Sequence, residues 1–138
     1  MIEKKKFYIN GKWVYPSKPN DFEVIDPSKE EPFAIISLGS TQDADEAIKA
    51  AKTAFESWRE TSKEERLSLL EKFDEIYNRR WDEMVKAQST EMGAPLDYSS
   101  EIHTKMGADI SKNTLKILKD FNFEHQFDAK SNNHIRYE

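Results

Sequence analysis

The sequence predicts an α+β segment in which a β-hairpin and further strands come first, three helices follow, and two short strands end the chain. Three observations predict this order. An Asn-Gly pair lies between two aromatic and β-branched runs near the start of the chain. Apolar residues then recur at helical spacing from about residue 41 to residue 121. The last residues alternate loosely between apolar and polar types.

The strands of the first part are bounded by turn signals. Asn10-Gly11 joins residues 7–9 to residues 12–15, and both turn positions suit a positive φ, so we expect a tight hairpin. Residues 22–25 read as a second strand that an Asp-Pro pair ends. Residues 33–37 read as a third strand. The strands are short and partly polar, and none is a run of Val, Ile and Leu that would predict a buried parallel strand.

The first helix is predicted to begin at a cap provided by Ser40 or Thr41. Asp43 and Asp45 in its first turn complement the positive end of the helix dipole. Its apolar positions follow the i, i+3, i+4, i+7 pattern, and most of them are alanine, which predicts close packing against another element. These positions are Ala44, Ala47, Ile48, Ala51, Ala54, Phe55 and Trp58.

Two longer helices are predicted to follow. Ser62 and Glu65 form a capping-box pattern, and the second helix is expected to run from there to the Met92-Gly93 pair, where glycine suits the left-handed position after a helix. The third helix is predicted over about residues 97–121. Gly107 inside it either costs the helix about 1 kcal/mol relative to alanine or marks a close approach between two helices. We expect two short strands around residues 128–133 to complete the chain.

The overall composition excludes several classes of function. The chain has 138 residues, a net charge of −5 with both signs interspersed, and no cysteine. We therefore expect no disulfide, no thiolate metal site and no cysteine nucleophile. A basic stripe for nucleic acid and an apolar membrane span are both lacking, and the run Lys4-Lys5-Lys6 is predicted to be a frayed terminus. We predict a cytoplasmic protein that binds neither nucleic acid nor membrane.

An ordered series of short motifs carries a resemblance to a known family. The motifs are Tyr8-Ile9-Asn10-Gly11-Lys12-Trp13-Val14; Val24-Ile25-Asp26-Pro27; Gly39-Ser40 with Asp43, Asp45, Ala47, Ala50-Ala51, Ala54-Phe55 and Trp58-Arg59; Arg66 with Leu70; Glu91-Met92-Gly93-Ala94-Pro95-Leu96; and His134-Ile135-Arg136-Tyr137-Glu138. No single motif is decisive. Together, in this order and spacing, they resemble the N-terminal segment of NAD(P)-dependent aldehyde dehydrogenases, continuously from about residue 7 to residue 96.

The resemblance implies an α/β fold in which these helices flank a Rossmann-like domain that binds NAD or NADP. It implies that residues 1–122 are the N-terminal part of the nucleotide-binding domain and that residues 123–138 begin an oligomerisation β-arm. Partners would then be further copies, in a dimer or tetramer, or the remainder of the enzyme.

The family's chemistry needs a cysteine nucleophile, a glutamate base and an asparagine that helps to hold the oxyanion, and all of them come later in the family's sequence. The four glycines of this chain are isolated, so no phosphate-cradling turn is present. We therefore predict no catalytic residue and no cofactor-binding residue here. The chain alone is expected to bind no cofactor and to have no activity.

One minor site carries over by resemblance. Many family members bind a monovalent cation through main-chain carbonyls at the end of the second β segment, and the corresponding residues here are Val24 and Ile25. The acidic side chain that often completes the site falls near His103, and histidine is a poor ligand for a hard alkali cation.

Alternative interpretations remain open from the sequence alone. The chain could be a stand-alone, non-catalytic oligomerisation module that pairs through residues 123–137, or an unrelated small α+β binding domain. Polar helix residues such as Asp97, Glu101 and His103 are predicted to be solvated, and His125 with His134 lacks the further ligands of a metal site. The aromatic residues spaced along the first two helices are predicted to pack in a core rather than to stack on nucleobases. These residues are Trp58, Phe73, Tyr77 and Trp81.

A physical expectation separates the first alternative from the second. Helix faces that are built to cover a sheet become exposed apolar patches when that sheet is missing. We therefore predict that the chain alone associates, swaps elements or aggregates.

Overall fold

The structure is a computed structural model, and it describes residues 1–126 and 134–136. The strands, in chain order, are β1 (Ile2–Lys4), β2 (Phe7–Ile9), β3 (Lys12–Val14), β4 (Asp21–Asp26), β5 (Glu31–Ser37), β6 (Glu124–Gln126) and β7 (His134–Arg136). The helices are α1 (Thr41–Trp58), α2 (Lys63–Arg79), α3 (Trp81–Met92), α4 (Leu96–Tyr98) and α5 (Lys105–Asp120), with a π-helical segment (Ser99–Thr104) between the last two. The mixed α and β composition that the sequence predicted is confirmed.

The β elements form one three-stranded sheet and two hairpins. The sheet has the order β1-β5-β4, with β1 parallel and β4 antiparallel to β5. In the hairpin of β2 and β3, Asn10 and Gly11 have φ angles of 51° and 73°, so the predicted turn with two positive φ angles is confirmed. The pairing of β6 with β7 confirms two strands in the tail, while the predicted turn at residues 128–133 lies outside the described residues.

The first strand was missed by the sequence analysis. We predicted a frayed terminus at Lys4-Lys5-Lys6, but Lys4 ends β1 and pairs with Ile36. The Lys5 ammonium lies 2.8 Å from a carboxylate oxygen of Asp21, which ties this strand to β4. A charged edge strand resists pairing with other molecules, so its polar sequence reflects its position at the edge of the sheet.

The cap predicted at Ser40 and the capping box predicted at Ser62 are both present, and Ser40 forms a capping box as well. The hydroxyls of Ser40 and Ser62 accept the backbone N–H groups of Asp43 and Glu65, and each carboxylate accepts the N–H of its capping serine. Gly93 follows α3 with a φ of 70°, the left-handed conformation predicted for this position.

The two later helices are less regular than we predicted. The predicted helix from residue 62 to residue 92 is interrupted at Arg80, whose φ and ψ of −98° and 22° lie outside the helical region. The predicted helix over residues 97–121 contains the π-helical segment, which adds a residue to the turn before α5. Neither interruption carries a glycine or proline, which is why the sequence pattern continued through both of them.

Of the two alternatives for Gly107, the close approach is confirmed by its neighbour on α2. A β-carbon built on Gly107 would collide with the hydroxyl oxygen of Tyr77 and lie 2.9 Å from its Cζ atom. The Tyr77 hydroxyl also donates a 3.1 Å hydrogen bond to the carbonyl of Thr104, a fully buried residue. Glycine at this position therefore sets how closely α2 and α5 pack.

The described part of the chain buries few of its apolar side chains. Ala34 and Ala108 are its buried hydrophobic residues, whereas many large apolar side chains are exposed. Two of the predicted core aromatics, Trp58 and Phe73, are 45% and 55% exposed, so the core-packing prediction is wrong for them in this chain. No helix among the described residues combines the length and apolar character needed to cross a bilayer.

Candidate functional site

The candidate cation ligands lie at a β-bulge. Val24 pairs with Ala34 but Ile25 pairs with Pro32, so the register skips Phe33. A bulge disrupts the ladder of hydrogen bonds locally, and proline has no N–H to donate to a facing carbonyl. Val24 and Ile25 therefore lie at the point of β4 where the ladder of hydrogen bonds with β5 is interrupted.

The turn after this bulge contains the carboxylate of Asp26, which is hydrogen-bonded within the turn itself. Asp26 is buried, and one carboxylate oxygen accepts the N–H and the hydroxyl of Ser28 at 2.9 and 2.6 Å. These two hydrogen bonds, with smaller help from the charge of Lys29, hold the pKa of Asp26 below its ordinary value. Because Ser28 and Lys29 occupy this carboxylate, Asp26 stabilises the turn rather than providing a free cation ligand.

The residue that falls near the family's acidic cation ligand is His103. It lies in the π-helical segment, where its ring contacts Tyr98 edge-on at a centroid distance of 5.0 Å. Its buried Nδ1 atom and the hydroxyl of Ser99 have no hydrogen-bond partner among the described residues. The helix α3 packs against β4. Just beyond the ends of these two elements, a β-carbon built on Gly93 would lie 2.9 Å from the Pro27 ring. Val24 and Ile25 are consecutive residues of β4, so chain connectivity alone brings their carbonyls together, and their role in cation binding stays a prediction.

Two other polar candidates, Asp97 and Glu101, lie in α4 and in the π-helical segment. Asp97 and Glu101 are exposed, and Asp97 accepts the backbone N–H of Tyr98. Among the residues that the structure describes, no group of three or more His, Cys, Asp or Glu side chains is placed to hold a metal ion. The side chains of His125 and His134 lie outside the described part of the structure.

The N-terminus of α1 is the place where a strand, a glycine and a helix follow one another. Such an arrangement can hold a phosphate on its free N–H groups. Here Asp43 occupies it: its carboxylate accepts the N–H of Ser17 at 2.7 Å and both the N–H and the hydroxyl of Ser40 at 2.8 Å. These bonds, the one from Ser17 first, lower the pKa of Asp43 from 3.8 to about 2.

This buried negative charge does not fit a cofactor phosphate. A pyrophosphate at the start of α1 would face an ionised carboxylate that already takes up the local donors. This argument applies to the start of α1 alone, and the absence of cofactor-binding residues from the other parts of the 138-residue chain stays a prediction. The sequence analysis identified Asp43 as a helix-start residue but missed Ser17, because that contact joins residues that are 26 positions apart.

A second polar cluster surrounds Arg66 at the start of α2. Its guanidinium donates to the carbonyls of Trp58 and Arg59 at 3.3 and 3.1 Å and to the Thr61 hydroxyl at 2.9 Å. It also lies 5.8 Å from the ring centroid of Trp58 and 5.5 Å from that of Phe123. The sequence analysis had noted Arg66 only as part of a motif.

The largest candidate surface is apolar. We call the exposed apolar side chains along the π-helical segment and α5 the α5 stripe. On the opposite side of α5, half-buried Leu115 and Leu118 and buried Ala108 lie on the face that packs against α2. The α5 stripe comprises Ile102, Met106, Ile110, Ile117 and Phe121, which are 40–65% exposed.

Other helices carry similar apolar faces. Ile48 and Phe55 on α1 and Leu69 and Phe73 on α2 are also exposed. A folded domain rarely leaves apolar faces exposed on three helices. Such faces are usually covered by another domain or subunit.

Comparisons with known proteins identify the family. The family model described as the aldehyde dehydrogenase family matches residues 13–138. The chain is 38% identical over 125 residues to a 3-succinoylsemialdehyde-pyridine dehydrogenase of a Pseudomonas species, covering 90% of this chain and 26% of that protein. It is 37% identical to a putative aldehyde dehydrogenase of Staphylococcus aureus, with the same coverage of 90% and 26%.

Solved structures give the same result. An aldehyde dehydrogenase from Bartonella henselae superposes with a TM-score of 0.92 and 49% identity, covering 96% of this chain and 28% of that one. A variant of aldehyde dehydrogenase C from Pseudomonas syringae, in complex with NAD+ and octanal, superposes with a TM-score of 0.87 and 31% identity, covering 90% and 26%. The chain spans about a quarter of the length of these relatives. It belongs to the aldehyde dehydrogenase family and corresponds to the N-terminal portion of that fold.

Proposed function

We propose that this chain is the scaffold portion of an enzyme that oxidises an aldehyde to a carboxylic acid with NAD or NADP. The relatives support this proposal through their names, and four of the similar structures were solved with NAD+. The relatives are about four times as long as the matched segment, so most of their fold lies outside it. In this proposal the chain contributes scaffold helices and subunit contacts, and the residues that oxidise the aldehyde belong to the remaining portion of the enzyme.

The observation that carries the proposal is the set of uncovered apolar helix faces. The α5 stripe spans residues 102–121, which is roughly 30 Å of helix at 1.5 Å per residue. Its length fits the face of a β-sheet, and the described elements that pack against α5 are α2 and the π-helical segment. The remainder of a nucleotide-binding domain would cover such a face, as helices flank the sheet in an α/β fold.

The chain's own polar groups assign it a supporting role. Asp43 fills the strand–glycine–helix junction before α1 with an ionised carboxylate, so that junction does not recognise a phosphate. No cysteine is present to act as a nucleophile. The binding of NAD or NADP and the transfer of hydride therefore belong to residues outside this segment.

The same proposal includes the domain boundaries, the partners and the location. Residues 1–122 would form the N-terminal part of the nucleotide-binding domain, and residues 123–138 would begin the β-arm that contacts another subunit. The antiparallel pairing of β6 and β7 supports an arm at this position. The assembled protein would be a cytoplasmic homo-oligomer, either a dimer or a tetramer.

The test of the scaffold proposal uses a hydrophobic dye and analytical ultracentrifugation on the purified chain. We expect dye binding and self-association, because the apolar faces lack their cover. Ile110→Glu should reduce both signals by placing a charge in the α5 stripe. Lys112→Gln, on the charged side of the same helix, is the matched control and should change neither. A compact monomer that binds no dye would contradict the proposal.

We also propose a weak site for a monovalent cation at the carbonyls of Val24 and Ile25. The bulge frees this part of β4 from regular pairing, but Asp26 is engaged by Ser28 and His103 replaces an acidic ligand. Two neutral carbonyls without a carboxylate should bind a cation weakly.

Melting temperatures in potassium chloride and in choline chloride at equal ionic strength test this cation site. A saturable stabilisation specific to potassium is expected, since a ligand that binds the folded state raises its stability. Equal melting temperatures at every concentration would rule the site out.

A further inference from the structure

The helix α1 ends at the C-cap residue Arg59, whose side chain pairs with Glu60 at 3.0 Å. The last turn of α1 contains no basic residue, although a positive charge there would complement the negative end of the helix dipole. Arg66, from the first turn of α2, supplies that charge by donating to the carbonyls of Trp58 and Arg59. The Thr61 hydroxyl joins the same cluster: it donates to the Trp58 carbonyl at 2.6 Å and accepts from Arg66. Arg66 thus fixes the turn between α1 and α2.

The guanidinium also lies near Phe123, the residue immediately before the C-terminal strands. Phe123 is half-buried, and its ring centroid lies 5.5 Å from the Arg66 carbon Cζ. Phe123 also stacks edge-on against Phe121 at 4.9 Å, immediately after α5. Lys63 donates to the carbonyl of Lys119 at 3.1 Å, so a second contact joins the start of α2 to the end of α5.

We infer that Arg66 is a positioning residue that couples the α1–α2 turn to the base of the β6–β7 pair. Its contacts with the rings of Trp58 and Phe123 set the direction in which the chain leaves α5 and enters β6. This coupling is a property of the segment itself. Its consequence for subunit contact rests on the proposed function, in which β6 and β7 begin the oligomerisation arm.

The chemistry requires arginine at this position. A planar guanidinium donates along its edge and stacks on aromatic rings with its faces, so three hydrogen bonds and two ring contacts are compatible. A lysine ammonium has the same charge but no planar face, and it cannot reproduce the bonds to three separate oxygen atoms in this geometry.

The test compares two variants of the chain. Arg66→Lys keeps the charge and loses the planar group, while Phe123→Leu keeps an apolar side chain and loses the ring. We expect each variant to raise the rate of backbone amide hydrogen exchange in β6 and β7 by roughly three- to fivefold. This factor corresponds to the free energy of one exposed cation–π contact. The double variant should show little more than either single variant, because both remove the same contact. Arg79→Lys, in an exposed ion pair with Glu75, is the control and should match the parent chain.

Two further readouts distinguish coupling from a general loss of structure. Exchange at Arg59 and Glu60 should rise in Arg66→Lys but not in Phe123→Leu, which leaves the hydrogen bonds at the end of α1 intact. The Arg66 δ-protons should be shifted upfield by the neighbouring rings, and Phe123→Leu should remove part of that shift. Any one of three results would overturn the inference. The first is unchanged exchange in β6 and β7 in Arg66→Lys, and the second is a lack of protection of these amides in the parent chain. The third is a double variant in which the two single effects multiply.

The subunit contact is tested separately by sedimentation of the same samples. Loss of oligomers together with faster exchange supports both the coupling and the arm. Faster exchange without any change in oligomeric state supports the coupling and contradicts the assignment of β6 and β7 to subunit contact.

Discussion

Gly107→Ala should destabilise the chain, even though alanine is the better helix former. The new β-carbon would lie 2.9 Å from Tyr77 Cζ and closer still to the hydroxyl oxygen, so α2 and α5 must separate or the tyrosine must move. Overpacking of this kind costs about 1–3 kcal/mol. Displacing the hydrogen bond to the Thr104 carbonyl costs about 1 kcal/mol more, and the gain in helix propensity returns about 1 kcal/mol. The net loss is therefore about 1–3 kcal/mol.

Thermal unfolding at fixed protein concentration and scan rate measures this loss. For a chain of this size, about 4 °C accompanies each kcal/mol, so the melting temperature should fall by roughly 4–12 °C. Asn113→Ala, at an exposed position of the same helix, is the control and should be neutral or slightly stabilising. In a Tyr77→Phe background, which lacks the colliding oxygen, Gly107→Ala should cost less. A melting temperature of Gly107→Ala at or above that of the parent chain would refute the close-packing argument.

Three further predictions address the caps, the buried carboxylate and the glycines. Ser62→Ala should cost about 1 kcal/mol by removing the capping box of α2, whereas exposed Ser68→Ala should be neutral in the same denaturation assay. Because folding lowers the pKa of Asp43 from 3.8 to about 2, its contribution to stability is present above about pH 4 and is lost as the pH falls toward 2. Asp43→Asn should therefore flatten the stability profile between pH 4 and pH 2, and an unchanged profile would argue against this role. Gly93→Ala should be more destabilising than Gly11→Ala, since both have a positive φ but only Gly93 also meets a neighbouring proline ring, and equal losses would contradict this contact.

Local signals in the sequence predicted the ends of the elements well. The capping boxes at Ser40 and Ser62, the turn at Asn10-Gly11 and the helix end at Gly93 each depend on residues within four positions of one another. The chemistry of these residues limits the backbone conformation directly, so no distant contact is needed to recognise them.

Features that depend on distant contacts were missed or only partly predicted. The strand β1 was missed because its charged sequence pairs with β5 some 30 residues later. The break at Arg80 and the π-helical segment were missed because the helical spacing of apolar residues continues through them. Asp43 was recognised as a helix-start residue, but its bond with Ser17 was invisible in the sequence. The role of Arg66 likewise depends on contacts with Trp58 and Phe123, and Phe123 is distant from it in the sequence.

The most direct measurement is NAD- or NADP-dependent aldehyde oxidation by the purified 138-residue chain, with its intact mass confirmed in the same sample. A full-length aldehyde dehydrogenase assayed in parallel shows that the substrates and conditions support turnover. We predict no turnover above the background without enzyme, because the chain has no cysteine nucleophile and the start of α1 is filled by Asp43. Turnover at the correct mass would contradict the scaffold assignment, since it would require a nucleophile and a cofactor site within these residues.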